Sequence, residues 1–274
     1  MELFHPFILF ALLAGIAASF ASGIVGSFIV SKRIVFISGS IAHSVLGGMG
    51  IFLWLRRTYN LTLLTPLQGA LLTALLSALI IGWVHFKFRE REDTIVAALW
   101  STGMSLGVIF ISLTPGYNVE LMNFLFGNIL WTTQSDLTAL YILDVVVIGV
   151  TLLLYRRFQA ICFDEDQSTL QGVSVPLYYI ILLCLVAISV VLLIQTVGSI
   201  LVITMLALPA AVAGSMTHNL HKMIVLAILF GCLFSLVGTY AAFLLNWPPG
   251  ATIALLSAFI YALSLTRSRL RKIR

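Results

Sequence analysis

Charge is scarce in this sequence. Only 25 of its 274 residues are charged, 9% against about a quarter in a soluble globular chain, while 61% are hydrophobic and the mean hydropathy is +1.11. A surface facing water cannot be covered with so few charges, so most of the exterior must face lipid. Cysteine is nearly missing as well: Cys162, Cys184 and Cys232 form no CxxC pair, and two of them lie in apolar tracts, which indicates packing residues and no disulfide framework. Enzyme signatures are missing too. There is no HExxH, no GxSxG elbow with partners, no Gly-rich dinucleotide turn and no GxxxxGK[ST], so any nucleotide-driven step must be performed by another polypeptide. Paired carboxylates occur only in Glu90-Arg91-Glu92-Asp93 and Asp164-Glu165-Asp166, both between apolar runs, where solvated loop acids are the simplest reading. The pI near 9.3 does not point to nucleic acid, because the basic residues punctuate apolar runs and never form a stripe.

Long apolar runs are what the chain has in abundance. A bilayer core about 30 Å thick needs roughly 20 apolar residues in helix, because hydrocarbon offers the backbone no other partners. The sequence predicts an all-α integral membrane protein, a single transmembrane domain over 1–274 with about nine spans, eight to ten being compatible with the pattern. They fall near Phe7–Val30, Ile34–Leu55, Pro66–Phe86, Thr94–Leu113, Leu137–Tyr155, Leu177–Ile194, Ile200–Met216, Met223–Leu245 and Ala251–Leu265. The first run has no basic stretch before it and exceeds the roughly 7 to 15 residues of a cleaved signal core, so it is expected to remain as a helix. Alternating nine crossings puts 13 of the 15 basic residues on one side, and the positive-inside rule then sets the carboxyl terminus in the cytoplasm and the amino terminus outside.

Small residues recur every four positions in the first span, at Gly15, Ser19, Gly23 and Ser27, beside Ala14, Ala18, Ser22 and Gly26; Gly103 and Gly107 repeat the spacing in the fourth. Such stripes let helix backbones approach closely, so these are expected to be packing residues in a bundle or at a subunit interface. Between Thr114 and Trp131 the pattern breaks, and a short apolar piece within about 118–130 is expected to be a re-entrant or surface helix on the outer side. The largest cytoplasmic loop is expected at about 156–176. Inside it Asp164–Leu170 is predicted as a short helix with acids at its positive end and Gly172 stopping it, a feature a cytoplasmic partner can grip.

Ionisable groups at mid-depth are costly and are kept mostly for function. Two qualify. His43 lies about nine residues inside the second span and Asp144 about eight inside the fifth, each near the bilayer midplane at ~1.5 Å per residue. His43 stands in Ser38-Gly39-Ser40-Ile41-Ala42-His43-Ser44-Val45-Leu46-Gly47-Gly48-Met49-Gly50, where small side chains let another backbone or an ion come close. A neutral imidazole there can ligate a transition metal and suits zinc, although a lone histidine is more often hydrogen-bonded to a neighbouring helix. Asp144 is open to three readings: a second ligand, a counter-charge, or an interhelical hydrogen-bond partner, the last being preferred.

Four tracts together make the chain resemble the permease subunit of ABC transporters that import zinc, manganese or iron(II). They are Gly26–Arg33 leading into the His43 segment, Leu121–Leu130 with Phe126-Gly127-Asn128, Phe163-Asp164-Glu165-Asp166 with Gln171-Gly172-Val173, and Gln195-Thr196-Val197-Gly198 running to Leu208-Pro209-Ala210-Ala211. The closing turn Trp247–Thr252 fits as well. The resemblance spans nearly the whole length in the same order. It implies a type II importer-like bundle in the cytoplasmic membrane of a prokaryote, not itself an enzyme. The assembly implied is a homodimer bound to two cytoplasmic ABC ATPases through Phe163, Asp164, Glu165, Asp166, Gln171, Gly172 and Val173. It would receive metal from an extracytoplasmic binding protein and pass it by alternating access at the dimer axis. No cofactor is held permanently, the divalent ion being cargo. In one place the sequence departs from the family pattern: an Asp commonly stands four residues before the matching His, one turn away on the same face, and here that position is Gly39. The lost anion weakens the case for manganese more than for zinc. The competing reading is a self-contained secondary transporter or channel using Asp144 and His43 as a relay, against which stand the scarcity of such groups and the lack of an apparent inverted repeat. A membrane enzyme with a metal at His43 lacks further ligands at a convincing spacing.

Overall fold

The computed structural model of the protein describes the backbone of residues 6–88, 92–115, 124, 127, 129 and 132–273, and the side chains of 9–88, 93–115, 124, 127, 129 and 132–266. Ten α-helices account for almost all of it: α1 Pro6–Lys32, α2 Val35–Thr58, α3 Pro66–Phe88, α4 Glu92–Leu113, α5 Gln134–Phe163, α6 Glu165–Leu170, α7 Val175–Val197, α8 Ser199–Met216, α9 Leu220–Leu245 and α10 Pro249–Ile273. Nine of these are long and apolar enough to cross a membrane, α6 being the exception, and there is no strand among the described residues. The all-α architecture predicted from run length is therefore what the chain adopts.

The three most enclosed spans, α1, α2 and α7, form the middle of the bundle. On one side α1 packs against α5, α8 and α9, with α10 behind them; on the other α2 packs against α3 and α4; α7 touches both groups. The small stripe of α1 is used inside this one chain. Gly15 faces Ser235 and Ser19 faces Gly231 on α9, Gly23 lies against the Ile228 backbone, and Gly26 meets the Leu206 carbonyl on α8. Ser19 and Ser27 donate back to the Gly15 and Gly23 carbonyls at 2.6 and 2.7 Å, which hides their hydroxyls and leaves a smooth apolar face. A methyl at Gly23 would stand 2.8 Å from the Ile228 nitrogen, so Gly23→Ala is expected to push α1 and α9 apart at a cost of about 1–3 kcal/mol. In α5, Gly149 has nothing within 4 Å of the same atom, and Gly149→Ala is expected to be neutral. Melting of the two detergent-purified variants checks the contrast.

One expectation changes. The fifth span does not stop at Tyr155: α5 continues through Arg156 and Arg157 to Phe163, and α7 already starts at Val175, so the stretch 156–176 is mostly helix and not loop. The helix can continue into water because Arg157 leans over the Tyr178 ring, 5.7 Å from its centroid, and Phe158 and Ile161 are buried on the inner face. Most of the outer segment expected at 118–130 lies outside the described residues. Of the three described positions, Phe124 and Ile129 are buried and Gly127 has φ +62°. A side chain at Gly127 would run into the backbone of Val197 and Gly198, where a second positive-φ glycine (φ +82°) separates α7 from α8. Backbone meets backbone there, and glycine is needed for both reasons.

Candidate functional site

Residue 43 sits two turns into α2, and its surroundings follow from the α2–α4 seam. The helices run in the same direction and touch at one-turn intervals: the Ser40 hydroxyl donates to the Val96 carbonyl at 2.8 Å, His43 meets Trp100, Gly47 meets Gly103, and Gly50 meets Gly107. Gly103 and Gly107 thus lie against α2. The His43 ring is half-buried and stacked on the Trp100 indole, with centroids 4.4 Å apart and planes 14° from parallel. Its Nδ1 is buried with no hydrogen-bond partner among the described residues, which leaves Nε2 as the more open nitrogen. Gly39, one turn below on the same face, also looks at the indole: a Cβ there would stand 3.6 Å from Trp100 Cζ3, ordinary contact distance.

Asp144 is placed elsewhere. Its buried Oδ1 accepts from the Ala21 N–H of α1 at 3.0 Å, an interhelical hydrogen bond to backbone. No hydrogen bond or ion pair joins it to His43 among the described residues, and no group of three or more His, Cys, Asp or Glu gathers there. The described residues therefore offer a single imidazole here, not a closed metal cage. Further along α2 from His43, between α2, α3 and α7, lies a mostly apolar cavity of about 360 Å³ lined by Val45, Met49, Thr65, Phe124, Ile194 and Gln195.

Between α5 and α7 the short helix is built by its own sequence. Asp164 ends α5 and caps α6, its side chain accepting from the Gln167 N–H at 2.9 Å. At the other end the Val173 N–H returns to the Ser168 carbonyl and the Gly172 N–H to Thr169, a Schellman closure that uses the +76° φ of Gly172. Phe163 and Leu170 are exposed, and Phe163, Asp164 and Gln171 line a cavity of about 280 Å³ with Arg156, Gln159 and Gln167. Glu165 turns the other way. One carboxylate oxygen pairs with Lys32 of α1, whose ammonium also donates to the Ile161 carbonyl at 2.8 Å, and the other lies 3.4 Å from His85 Nε2 of α3. The His85 ring in turn stacks on the fully buried Tyr179 of α7 at 4.5 Å. His85 first, and then Lys32, hold the Glu165 carboxyl at about 2 against the opposing effect of burial, so it is an anion throughout the physiological range.

Sequence reasoning had missed Trp100, His85, Tyr179 and the structural use of Lys32. Lys32 was legible only as an orientation signal, and no spacing connects residues 32, 85, 165 and 179 before the helices are packed.

Comparison with known proteins gives a family and a fold. The sequence model of the ABC 3 transport family matches residues 4–268. A Chlamydia pneumoniae protein described as a metal transport system membrane protein is 46% identical over 92% of this chain and 86% of its own. The Listeria monocytogenes manganese transport system membrane protein MntC is 32% identical over 94% and 89%. Among solved structures, PsaBC from Streptococcus pneumoniae, in complex with Fab, superposes with a TM-score of 0.82 at 27% identity, covering 95% of this chain and 91% of that one.

Proposed function

Given that this chain belongs to the ABC 3 transport family and is a membrane component rather than a catalytic one, we propose that it forms the permease of an ATP-driven importer for a divalent transition-metal ion. Two copies face each other, receive the ion from an extracytoplasmic binding protein, and pass it inward by alternating access. The amino terminus lies outside and the carboxyl terminus in the cytoplasm. The observation that carries this reading is His43, a half-buried imidazole two turns into α2 whose Nδ1 is buried with no hydrogen-bond partner among the described residues, leaving Nε2 the more open nitrogen. A structural histidine would ordinarily satisfy its buried nitrogen. One imidazole per protomer becomes two at a twofold axis, enough to hold an ion briefly and too few to trap it. ATP hydrolysis belongs to a cytoplasmic partner seated on α6 and the exposed Phe163, Asp164 and Gln171.

Zinc is the favoured cargo, with manganese and iron next. Nitrogen donors suit zinc, whereas carboxylate oxygen suits manganese, and Gly39 supplies none. The manganese named for the Listeria relative makes this a matter for direct measurement. The test is accumulation of zinc, manganese and iron(II), side by side, in cells lacking their own uptake systems and supplied with this chain and its ATPase and binding protein. Zinc accumulation above manganese is expected; accumulation of none of the three overturns the proposal. Gly39→Asp, whose Cβ fits beside the indole, is expected to raise the manganese-to-zinc ratio on the order of tenfold by returning an oxygen ligand to the His43 face.

A further inference from the structure

We propose that Trp100 is a positioning residue for the transported ion: stacked on His43, its indole restrains the plane of the ring, one of the two things a hydrogen bond to the second ring nitrogen does in most histidine–metal sites. The inference rests on His43 being the ligand. A ligating imidazole usually donates its other N–H to a carboxylate, a carbonyl or water, which fixes the ring's direction and tautomer. At His43 that nitrogen is buried and has no such partner among the described residues. Without another restraint the ring could turn about its Cβ–Cγ bond and carry the open nitrogen away from the ion. The restraint present is the Trp100 face, 4.4 Å away and within 14° of parallel.

The seam holds that indole in register. Ser40 with Val96, His43 with Trp100, Gly47 with Gly103 and Gly50 with Gly107 are successive rungs of one ladder, each a turn above the last on both helices. A methyl at Gly47 would stand 2.9 Å from the Gly103 carbonyl and one at Gly50 2.8 Å from that of Gly107, so the helices are in backbone contact above the ring pair and cannot slide past it. The same indole also covers Gly39. With glycine at 39 this turn supplies no anion, so the ion meets the His43 nitrogen beside a π face. The stack therefore serves the direction of the ring.

The test uses the full complex, with uptake measured per assembled complex for zinc and for manganese. Trp100→Met removes the ring at similar bulk, Trp100→Leu removes it with less, and Trp100→Phe keeps a ring. Loss of an orienting partner typically costs 10–100-fold in metal affinity, so Trp100→Met is expected to raise the apparent KM for zinc on the order of tenfold, with maximal rate changed less than about twofold. Trp100→Phe is expected to stay within about threefold of the parent KM, the ring being the part that matters. A zinc KM for Trp100→Met equal to the parent's overturns the inference, as does a loss for Trp100→Phe as large as for Trp100→Met. If Trp100→Leu does not assemble, the Met and Phe pair decides. His43→Ala separates the two levels of argument. Normal uptake by that variant removes the functional reading itself, whereas no uptake beside an unchanged Trp100→Met KM removes only the role of Trp100.

Discussion

His43→Ala is expected to reduce metal uptake by about a hundredfold or more while the chain still inserts and assembles, since a divalent ion crossing a low-dielectric core needs its hydration replaced by protein donors. Among the described mid-depth groups His43 is the one with an open nitrogen, and the α2–α4 seam above it is made by glycines that the substitution leaves alone. Radiolabelled zinc uptake, normalised to complex recovered from the membrane, reads the effect. Asp144→Asn is the informative contrast. An amide oxygen can still accept from the Ala21 N–H, so that variant is expected to keep most of the uptake. If the two variants reversed their order, the passage would have to run beside α1 and α5 instead.

Glu165→Ala is expected to uncouple the transporter, lowering metal moved per ATP hydrolysed on the order of tenfold, because a six-residue helix has no stability of its own. Its local cap orders it, and Glu165 ties it to α1 and α3, through Lys32 and His85. Removing the carboxylate would also strand the Lys32 ammonium, only 14% exposed, beside an uncharged partner. A stroke delivered to α6 would then be taken up by local motion rather than by the bundle. Glu165→Gln, which keeps the hydrogen-bonding shape and loses the charge, is expected to fall between. The pH dependence has a definite sign. The carboxyl is shifted down from 4.5 to about 2, so its stabilising contribution is complete above about pH 4.5 and is lost as pH falls towards 2. Titration of Glu165 itself will therefore not appear in a coupling profile between pH 5 and 8. Parallel uptake and ATPase assays in vesicles over that window check both statements.

The spans were legible because a helix in hydrocarbon has to be uniformly apolar for its whole length, and run length alone registers that. Helix α6 was legible because its instructions are local: Asp164 before it, acids in its first turn, Gly172 after it. The end of α5 was not. The adjacent Arg156 and Arg157 mark where charge first reaches water, and the helix passes that boundary because Phe158 and Ile161 still have an apolar face to pack on. His43 could be singled out by depth, yet its stack on Trp100 depends on a register 57 residues apart that the glycine ladder sets only after α2 and α4 pack. The Lys32–Glu165–His85 cluster is of the same type. It joins three helices distant in sequence, and each residue read alone looks like ordinary interfacial charge. The α1 stripe announced close packing without naming a partner, and its contacts with α8 and α9 became visible only in the folded chain.

The central claim is that a divalent ion rests on the His43 imidazole midway across the membrane. X-ray absorption at the zinc edge of the purified complex, loaded with zinc and compared with the same complex carrying His43→Ala, tests it most directly. The account requires an imidazole nitrogen shell at about 2.0–2.1 Å that disappears in the variant. An unchanged zinc shell in the variant would place the ion elsewhere and contradict it.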